Sequence, residues 1–464
     1  MIEGTDIVRG LGRLRSEVSR AVVYAFLMRS FQVVGGLASL VFIAKYFTPK
    51  IQGFYYTFTS LASLQAYIEL GFGIVIVQFA SHEWARLSLD VEGKVGGHPD
   101  ALSRLTSLGR IAFPLYAVQG AILTLVLSLL GLVLFSASPD PEVQWLWPWL
   151  TVSVFTGMNL WLLPALALLE GCNQVSQVYF YRFTDTVLTN VCLCVFVALG
   201  AGLWAPAISA IVKLVYGCAY LVFRHRRFLL TFLARPVGPS MNWRSDILPM
   251  QWRMSLTWLS GALLFTLFTP VAFHYQGPVV AGQVGMTLNM TSALLAVSFV
   301  WVQTNMPNLG RLIAKRDFIT LDRVFFPKAA LSVLTGILGA AGIFFIVYFL
   351  HTNAGALSGR VLPLTPTFLF LLATLFMIAS SPFGAYLRAH KREPLVGISV
   401  GASIVTGVST WLFGSNFGPL GMAAGYMTVN MLTLAGVLLI WHRCRHEWHL
   451  ERAPLTADRQ TNVD

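Results

Sequence analysis

Four charged side chains lie inside long apolar stretches of this chain, where a charge is costly unless it faces protein or water. They are Arg29, Glu69, Asp185 and Lys213. On a helix, Glu69 shares a face with Gln65 at i−4 and Gly73 at i+4. A carboxyl in such a place could titrate with protons or act as a gate. It could equally be a structural carboxylate, neutralised by an arginine or by protonation, and the sequence leaves both readings open.

Lys213 lies at the centre of an apolar run, with no short path for its ammonium group to either edge of the run. Ser209, Tyr216 and Tyr220 share its helical face at i−4, i+3 and i+7. The pattern predicts a cation that lines a cavity and binds an anionic group, with Tyr216 beside it as a second binding residue. The alternative is a structural ion pair with Asp185, and both could hold.

Arg29 and Asp185 are the less certain members of this set. Arg29 lies nearer one end of its run, so lining a cavity and extending to the lipid headgroups are equally open. Asp185 is a candidate for ion coupling, although a local pair with Arg182, three residues away, is the simpler reading. Glu170 is predicted to be a partner of Arg182.

The elements that carry these residues are membrane spans. Hydrophobic residues make up 56% of the 464 residues and charged residues 11%, far below the roughly 25% charged of soluble domains. About twelve apolar runs have the length of about 20 residues that a helix needs to cross a bilayer. The predicted spans are 25–47, 54–80, 111–136, 147–170, 179–200, 203–223, 253–275, 280–305, 329–351, 365–387, 395–414 and 419–441.

Lysine and arginine crowd into every second loop, which predicts that both termini are cytoplasmic. The opposite loops carry little positive charge beyond Lys45, Lys50 and Arg360, and they are short. The net charge of +12 therefore belongs to membrane-proximal segments and does not indicate nucleic acid. Segment 1–20 has apolar residues at helical spacing against arginines, which predicts a basic amphipathic helix in contact with anionic membrane lipids.

The chain divides into two similar halves. Segment 46–55 (YFTPKIQGFY) follows the first span of one half, and segment 275–284 (YQGPVVAGQV) follows the first span of the other. Six spans per half start both halves on the same side, so the repeats are predicted to be parallel. The predicted domains are an amphipathic segment 1–20, a six-helix bundle 21–228, a cytoplasmic linker 229–252, a second bundle 253–446 and a tail 447–464.

Sites for catalysis or cofactors are not visible in the sequence. No metal motif, nucleophile–base arrangement or nucleotide loop is found, and the five cysteines form no disulfide pattern. The chain is therefore expected to be no enzyme and to need no cofactor. The first 20 residues run into a full-length span without a processing site, so no cleavable signal peptide is expected.

Several segments resemble a known family. They include FTPKIQGFYY within 26–81, LPALALLEGCNQVSQVYFYR at 163–182 and VSFVWVQTNMPNLGRLIAKRDF within 252–326. The chain resembles Wzx-type oligosaccharide and O-antigen flippases, proteins of lipopolysaccharide biosynthesis. These belong to the multidrug/oligosaccharidyl-lipid/polysaccharide exporter superfamily, which also contains multidrug exporters of the MATE type and lipid II flippases. The resemblance implies an all-α polytopic protein of two six-helix bundles in a MATE-like V-shaped arrangement with an alternating-access cavity.

The function implied is that of a flippase in the bacterial inner membrane. It would move a polyprenyl-diphosphate-linked oligosaccharide for lipopolysaccharide, O-antigen or exopolysaccharide biosynthesis, beside polysaccharide polymerase machinery. Glu69 and Asp185 would then couple transport to an ion gradient, while Lys213, Arg29 and Tyr216 would bind substrate. Two alternatives stay open. One is a MATE-type drug/cation antiporter, and the other is a membrane polysaccharide polymerase or ligase, against which the short outer loops count.

Overall fold

The structure is a computed structural model, and it describes residues 3–69, 71–90, 93–137, 142–232, 234–249, 251, 255, 266–353, 355–390 and 392–450. Contacts divide the chain into two units. The first unit is Met1–Met286 with Gly359–Val361, and the second is Thr287–Ser358 with Leu362–Asp464. The bundle boundaries expected from the sequence stay a prediction. The side chains predicted to make segment 1–20 amphipathic lie outside the described residues, although its backbone from Glu3 is helical.

In the part of the first unit that the structure describes, the regular elements are helices and one short hairpin. Its elements in chain order are α1 (Glu3–Tyr46), α2 (Pro49–Ala62), α3 (Gln65–Glu69), α4 (Phe72–Trp84), β1 (Leu87–Leu89), β2 (Val95–Gly97), α5 (Pro99–Ser136), α6 (Leu146–Asn159), α7 (Leu163–Gly171), α8 (Val175–Ala198), α9 (Trp204–Thr231) and α10 (Phe268–Gln276). Strands β1 and β2 pair antiparallel, with Leu87 opposite Gly97 and Leu89 opposite Val95. A 3-10 turn at Leu160–Leu162 joins α6 to α7, and a π-helical turn covers Trp243–Ile247.

The second unit follows along α11, whose first residues still belong to the first unit. Its elements are α11 (Pro278–Gln303), α12 (Met306–Ala314), α13 (Phe318–Asn353), α14 (Gly355–Ser358), α15 (Leu364–Ala389) and α16 (Val396–Leu450). Its core joins the ends of these helices through Leu321, Phe325, Tyr386 and Trp441. The Arg445 guanidinium donates to Asp322 Oδ2 from Nε at 3.2 Å and from Nη2 at 2.5 Å, and Tyr386 donates to Asp322 Oδ1.

Within the described residues, nine helices are long and apolar enough to cross a membrane, or ten if the bent pair Pro49–Glu69 and Phe72–Trp84 forms one span. The predicted class, an all-α polytopic membrane protein, is confirmed. The count of twelve is not shown. Much of the predicted span 253–275 lies outside the described residues, and the predicted spans 395–414 and 419–441 both fall within α16.

Helix α16 folds back on itself at Gly418, which is why it contains two predicted spans. Gly418 has φ 61° and ψ −147°, a backbone conformation that glycine adopts without a Cβ clash, and Pro419 follows it. Residues on the two arms then meet in antiparallel order. Gly421 packs on the Phe413 carbonyl, Gly425 on Ser409 and Gly436 on Ile398. Each arm therefore has a length suited to one crossing.

The second predicted span is broken near its middle. Helix α3 ends at Glu69, and α4 begins at Phe72 after Gly71, whose φ is 69°. The axis of Pro49–Glu69, which contains α2 and α3, differs by 41° from the axis of Phe72–Trp84, which is α4. The break leaves the first N–H groups of α4 without helical acceptors, so they need other partners within the bundle.

An aromatic core holds the first unit together at the other end of α2. Phe54, Phe58, Phe135, Trp149 and Phe273 are fully buried and contact one another at ring-centroid distances from 4.8 Å to 5.5 Å. The Trp149 indole N–H also donates to the Leu127 carbonyl at 3.1 Å. Buried aromatic rings pack large apolar surfaces against one another. This cluster therefore fixes α2, α5, α6 and α10 relative to one another.

The two repeated segments meet where α2 and α11 begin. Pro49 and Pro278 start the two helices, and Gly53 and Gly282 occupy the same position one turn later. These glycines lie against each other: a Cβ on Gly282 would come within 2.9 Å of Gly53 N, and a Cβ on Gly53 would collide with the Pro278 carbonyl. Residues at matching positions of the two segments are therefore in contact, and the parallel relation of the two halves stays a prediction.

Candidate functional site

A cavity of about 500 Å³ lies inside the first unit, among α3, α4, α7, α8 and α9. It contains three of the five residues that the sequence singles out: Glu69, Asp185 and Lys213. Its other polar lining residues are Gln65, Asn159, Glu170, Tyr181 and Arg182. The cavity therefore places three carboxylates and two bases around one space within the membrane-spanning part of the unit.

Glu69 lies at the break between α3 and α4, and it satisfies groups that the break exposes. The Tyr116 hydroxyl donates to Glu69 Oε1 at 3.2 Å, and the Gly73 N–H also donates to this carboxylate. A Cβ at Gly73 would lie 2.9 Å from Glu69 Oε1, so an alanine there would require the carboxylate to shift. Gln65, Glu69 and Gly73 all line the cavity, which confirms the predicted shared face despite the break.

Lys213 projects from α9 into the same space and, among the described residues, forms no ion pair. It is near enough to Asp185 to attract it electrostatically, although the two make no direct contact. Asp185 Oδ1 is buried and has no hydrogen-bond partner among the described residues. Among the described residues, a direct ion pair of Lys213 with Asp185 is therefore not formed.

Arg182 has a different partner from the one that its local sequence suggests. Its Nη2 lies 2.6 Å from Glu170 Oε2, which confirms the predicted Glu170–Arg182 pair. The guanidinium also stacks over the Tyr179 ring at 5.2 Å from the ring centroid. The simpler reading of Asp185 as the partner of Arg182 is thus wrong, because the guanidinium is paired with Glu170 at the end of α7.

Tyr216 lies behind the cavity wall. Its ring stacks on Tyr181 with 5.6 Å between centroids and 4° between planes, and its hydroxyl is hydrogen-bonded to Thr184. Tyr181 itself lines the cavity, whereas Tyr216 does not. The predicted role of Tyr216 in binding stays a prediction, and from this position it would act through Tyr181.

Arg29 lies apart from the other four residues. It is exposed on α1, and its Nη1 donates to Gln32 Oε1 at 3.3 Å. Helix α1 packs against α8 through contacts such as Ser39 Oγ to Asn190 Oδ1 at 3.3 Å. The structure does not bring Arg29 to the cavity, so the reading in which it extends towards the headgroups fits its position better.

Sequence reasoning missed Tyr116 and Asn159. Asn159 lines the cavity and donates from Nδ2 to the Ala210 carbonyl at 3.2 Å, while its Oδ1 has no partner among the described residues. Both are polar groups inside apolar runs, which is the signal that identified Glu69 and Lys213. Neutral side chains carry a smaller desolvation cost, so this signal is weaker for them. Among the described residues, no group of three or more His, Cys, Asp or Glu side chains could hold a metal ion.

Comparison with known proteins identifies the fold. The chain is similar to a multidrug resistance MATE family transporter of the MOP superfamily in an inward-facing conformation, with a TM-score of 0.67, 14% identity and coverage of 93% of this chain and 99% of that one. It is also similar to the lipid II flippase MurJ in an inward closed conformation, with a TM-score of 0.62, 14% identity and coverage of 90% and 87%. A MOP superfamily transporter from Pyrococcus furiosus has a TM-score of 0.53, 16% identity and coverage of 94% and 96%.

These likenesses define a multi-pass membrane protein with the fold of MOP superfamily transporters. No protein-family model and no curated protein matches the sequence. At identities of 14% to 16% the structural likeness extends to the fold, and function has to be argued from the site.

Proposed function

We propose that this chain is a flippase that moves a polyprenyl-diphosphate-linked oligosaccharide across the bacterial inner membrane by alternating access. Both termini would be cytoplasmic, and the product would feed lipopolysaccharide, O-antigen or exopolysaccharide biosynthesis beside a polysaccharide polymerase. The sugar head and diphosphate of such a substrate would lose many hydrogen bonds in hydrocarbon, each at a cost of about a few kcal/mol. A polar cavity removes this cost while the polyprenyl tail stays in lipid.

The observation that carries the proposal is the Lys213 ammonium in the cavity. A cation inside a membrane bundle is retained where it meets a partner, and among the described residues it has no ion pair. A diphosphate supplies the missing negative charge and several acceptor oxygens. Arg182 lines the same cavity but is already paired with Glu170. It would therefore attract the diphosphate at longer range more than contact it directly.

The carboxylates of the cavity suit ion coupling. Glu69 and Asp185 line the space that Lys213 enters, so a proton on either carboxyl would change how strongly Lys213 attracts an anion. We propose that protonation of Glu69, with a contribution from Asp185, links substrate release to the ion gradient. The likeness to a lipid II flippase is consistent with this class of substrate.

A second candidate function rests on the charge balance of the same cavity. Glu69, Glu170 and Asp185 outnumber Arg182 and Lys213. An excess of carboxylates favours a drug/cation antiporter, and a MATE transporter is among the similar structures. The two candidate functions differ in the charge of the substrate. Lys213 would attract the diphosphate of a lipid-linked sugar and would repel a cationic drug, so changing this residue distinguishes the two functions.

The test is transport by purified protein in liposomes. With a short-chain polyprenyl-diphosphate-linked sugar as the probe, Lys213→Ala should lower the transfer rate at least tenfold, because the anchor for the diphosphate is lost. Lys213→Arg should keep part of the activity, since charge remains while geometry differs. Lys315→Ala is the matched control, because it removes an exposed lysine outside the cavity.

The same liposomes loaded with a cationic dye test the second function. A cation antiporter should transport the dye, and Lys213→Ala should raise that transport because a repelling charge is gone. If Lys213→Ala transferred the lipid-linked sugar at the wild-type rate, at equal protein levels, this result would contradict the flippase proposal.

A further inference from the structure

A second cavity, of about 720 Å³, lies at another end of the first unit, between the start of α5 and the end of α9. Lys94 beside β2, Arg227 near the end of α9 and Arg235 beyond it all line this cavity. None of its lining residues is acidic, although the backbone N–H of Lys94 donates to Asp90 Oδ1 at 2.9 Å. The cavity therefore has a positive lining.

The first turn of α5 forms one wall, through Pro99, Leu102 and Ser103. Helix α5 has 38 residues, and its first backbone N–H groups have no helical acceptors, so its start attracts anions. His98 at the N-cap position supplies no side-chain hydrogen bond to these groups. The positive end of a long helix thus adds to the charge of the three bases.

Ser103 provides a second, independent observation at this cavity. Its side chain is 4% exposed, it lines the cavity, and its hydroxyl has no hydrogen-bond partner among the described residues. A buried hydroxyl without a partner costs about 1 to 3 kcal/mol. Its neighbour Ser107 is satisfied, because it accepts from the Met241 N–H at 2.9 Å. Of these two serines, the one whose hydroxyl has no partner is the one that lines the cavity.

Apart from Thr106 and Thr231, the remaining lining is apolar, and part of it is exposed. Val95, Leu102, Leu230 and Val237 line the cavity, and Val237 is 94% exposed while Leu230 is 49% exposed. An exposed valine beside arginines suits a ligand with an anionic head and an apolar continuation. The predicted span 111–136 begins five residues after Thr106, or roughly 8 Å along the helix axis. The near side of the cavity would then lie at headgroup level.

We propose that this cavity binds a phosphate group at the cytoplasmic membrane surface, with Lys94, Arg235, the Ser103 hydroxyl and the α5 N-terminus as its donors. The phosphate could belong to an anionic phospholipid headgroup or to a soluble phosphate compound, which share this chemistry. The site is separate from the Lys213 cavity and does not depend on the proposed substrate.

Hydrogen exchange of the full chain in nanodiscs tests the proposal. The reporters are peptides that cover 99–106 and 234–241. Discs of phosphatidylcholine are compared with discs that contain phosphatidylglycerol, and in a second arm inorganic pyrophosphate is added to phosphatidylcholine discs. We expect at least tenfold slower exchange in one or both arms. Protection by phosphatidylglycerol alone identifies a lipid headgroup, and protection by pyrophosphate alone identifies a soluble phosphate.

Variants separate a site from general surface charge. Lys94→Ala with Arg235→Ala should abolish the protection, and Ser103→Ala, a small change that leaves packing intact, should reduce it. Arg224→Ala with Arg226→Ala removes the same amount of charge from α9 at positions outside the lining of this cavity, and it should keep the protection. No protection in either arm of the wild type, or equal protection in the Lys94/Arg235 variant, would overturn the proposal.

Discussion

Glu69 lies at a break in a membrane-spanning helix, and this position changes what its carboxylate can do. The exposed N–H groups at the start of α4 stabilise negative charge through hydrogen bonds and the helix dipole, and the Gly73 N–H is already bound to the carboxylate. Tyr116 adds a second donor. A carboxylate with donors on one side and a cavity with Lys213 on the other is suitably placed for the coupling role proposed above.

The first residue-scale prediction concerns Glu69→Gln. Glutamine keeps the shape and the acceptor for Tyr116 but does not titrate. In liposomes with an imposed pH gradient, transfer by wild-type protein should rise with the gradient, whereas transfer by the Gln variant should not respond. Binding of the lipid-linked sugar should remain close to the wild-type level.

Glu142→Gln serves as the control for Glu69→Gln. Glu142 is a largely exposed carboxylate that pairs with Lys50 at 2.9 Å, far from the cavity lining. It should leave the response to the gradient intact. A Glu69→Gln variant whose transfer still rises as in the wild type would make Glu69 a structural residue of the helix break.

The candidate residues show what helical periodicity can reveal and where it stops. It places Gln65, Glu69 and Gly73 on one face, and the cost of buried charge marks Lys213 as a cavity residue. Periodicity within one helix contains no information about its neighbour. It could not show that Tyr181 stands between Tyr216 and the cavity, or that α1 presents Arg29 away from it.

At the scale of elements, α2 and α11 approach closely at Gly53 and Gly282. Gln52 binds across this approach: its Nε2 donates to the Gly282 carbonyl at 3.1 Å and to the Arg360 carbonyl at 3.0 Å. Arg360 Nη1 returns a hydrogen bond to Gln52 Oε1 at 3.3 Å. Steric fit at the two glycines and this pair of polar contacts hold the same end of the unit.

Gly53→Ala should disrupt this close approach. The added Cβ would meet the Pro278 carbonyl, a backbone atom that cannot move away by changing a rotamer. We expect a loss of about 1 to 3 kcal/mol of stability or more, measured as a lower midpoint of thermal unfolding in detergent. Gly342→Ala is the matched control, because a Cβ there meets nothing within 4 Å. Equal midpoints for the two variants would show that the helices separate at no cost.

The elements themselves were predictable to different degrees. The apolar runs predict most spans because length and hydrophobicity determine whether a helix crosses a bilayer. The Pro and Gly positions mark turns but not their geometry. Gly71 bends one span by 41°, whereas Gly418 reverses the chain so that one helical stretch contains two predicted spans. Which of these a glycine does depends on packing partners, such as Phe413 against Gly421, that lie outside the local sequence.

At the scale of the whole molecule, the structure groups the loops of the first unit by end. Lys50 at the start of α2 binds Glu142 from the loop between α5 and α6, and Gln52 binds Arg360 from the loop before α15. At another end, the hairpin β1–β2 and the residues after α9 line one cavity. The loops predicted to share a side therefore do come together, as alternate crossings require.

Positive charge decides which group of loops faces the cytoplasm. The loops grouped with Lys94, Arg227 and Arg235 contain most of the bases, so they should be cytoplasmic. A reporter fused to the carboxyl terminus should behave as cytoplasmic, and one inserted beside Glu142 as external. A reporter inserted beside Gly93, in the hairpin between β1 and β2, is the internal control and should match the carboxyl terminus. Opposite signals from those two positions would contradict the predicted even number of crossings between them. A full reversal of all three would keep the fold and invert its orientation, which would place the cavity lined by Lys94 and Arg235 outside and the Gln52–Arg360 contact inside.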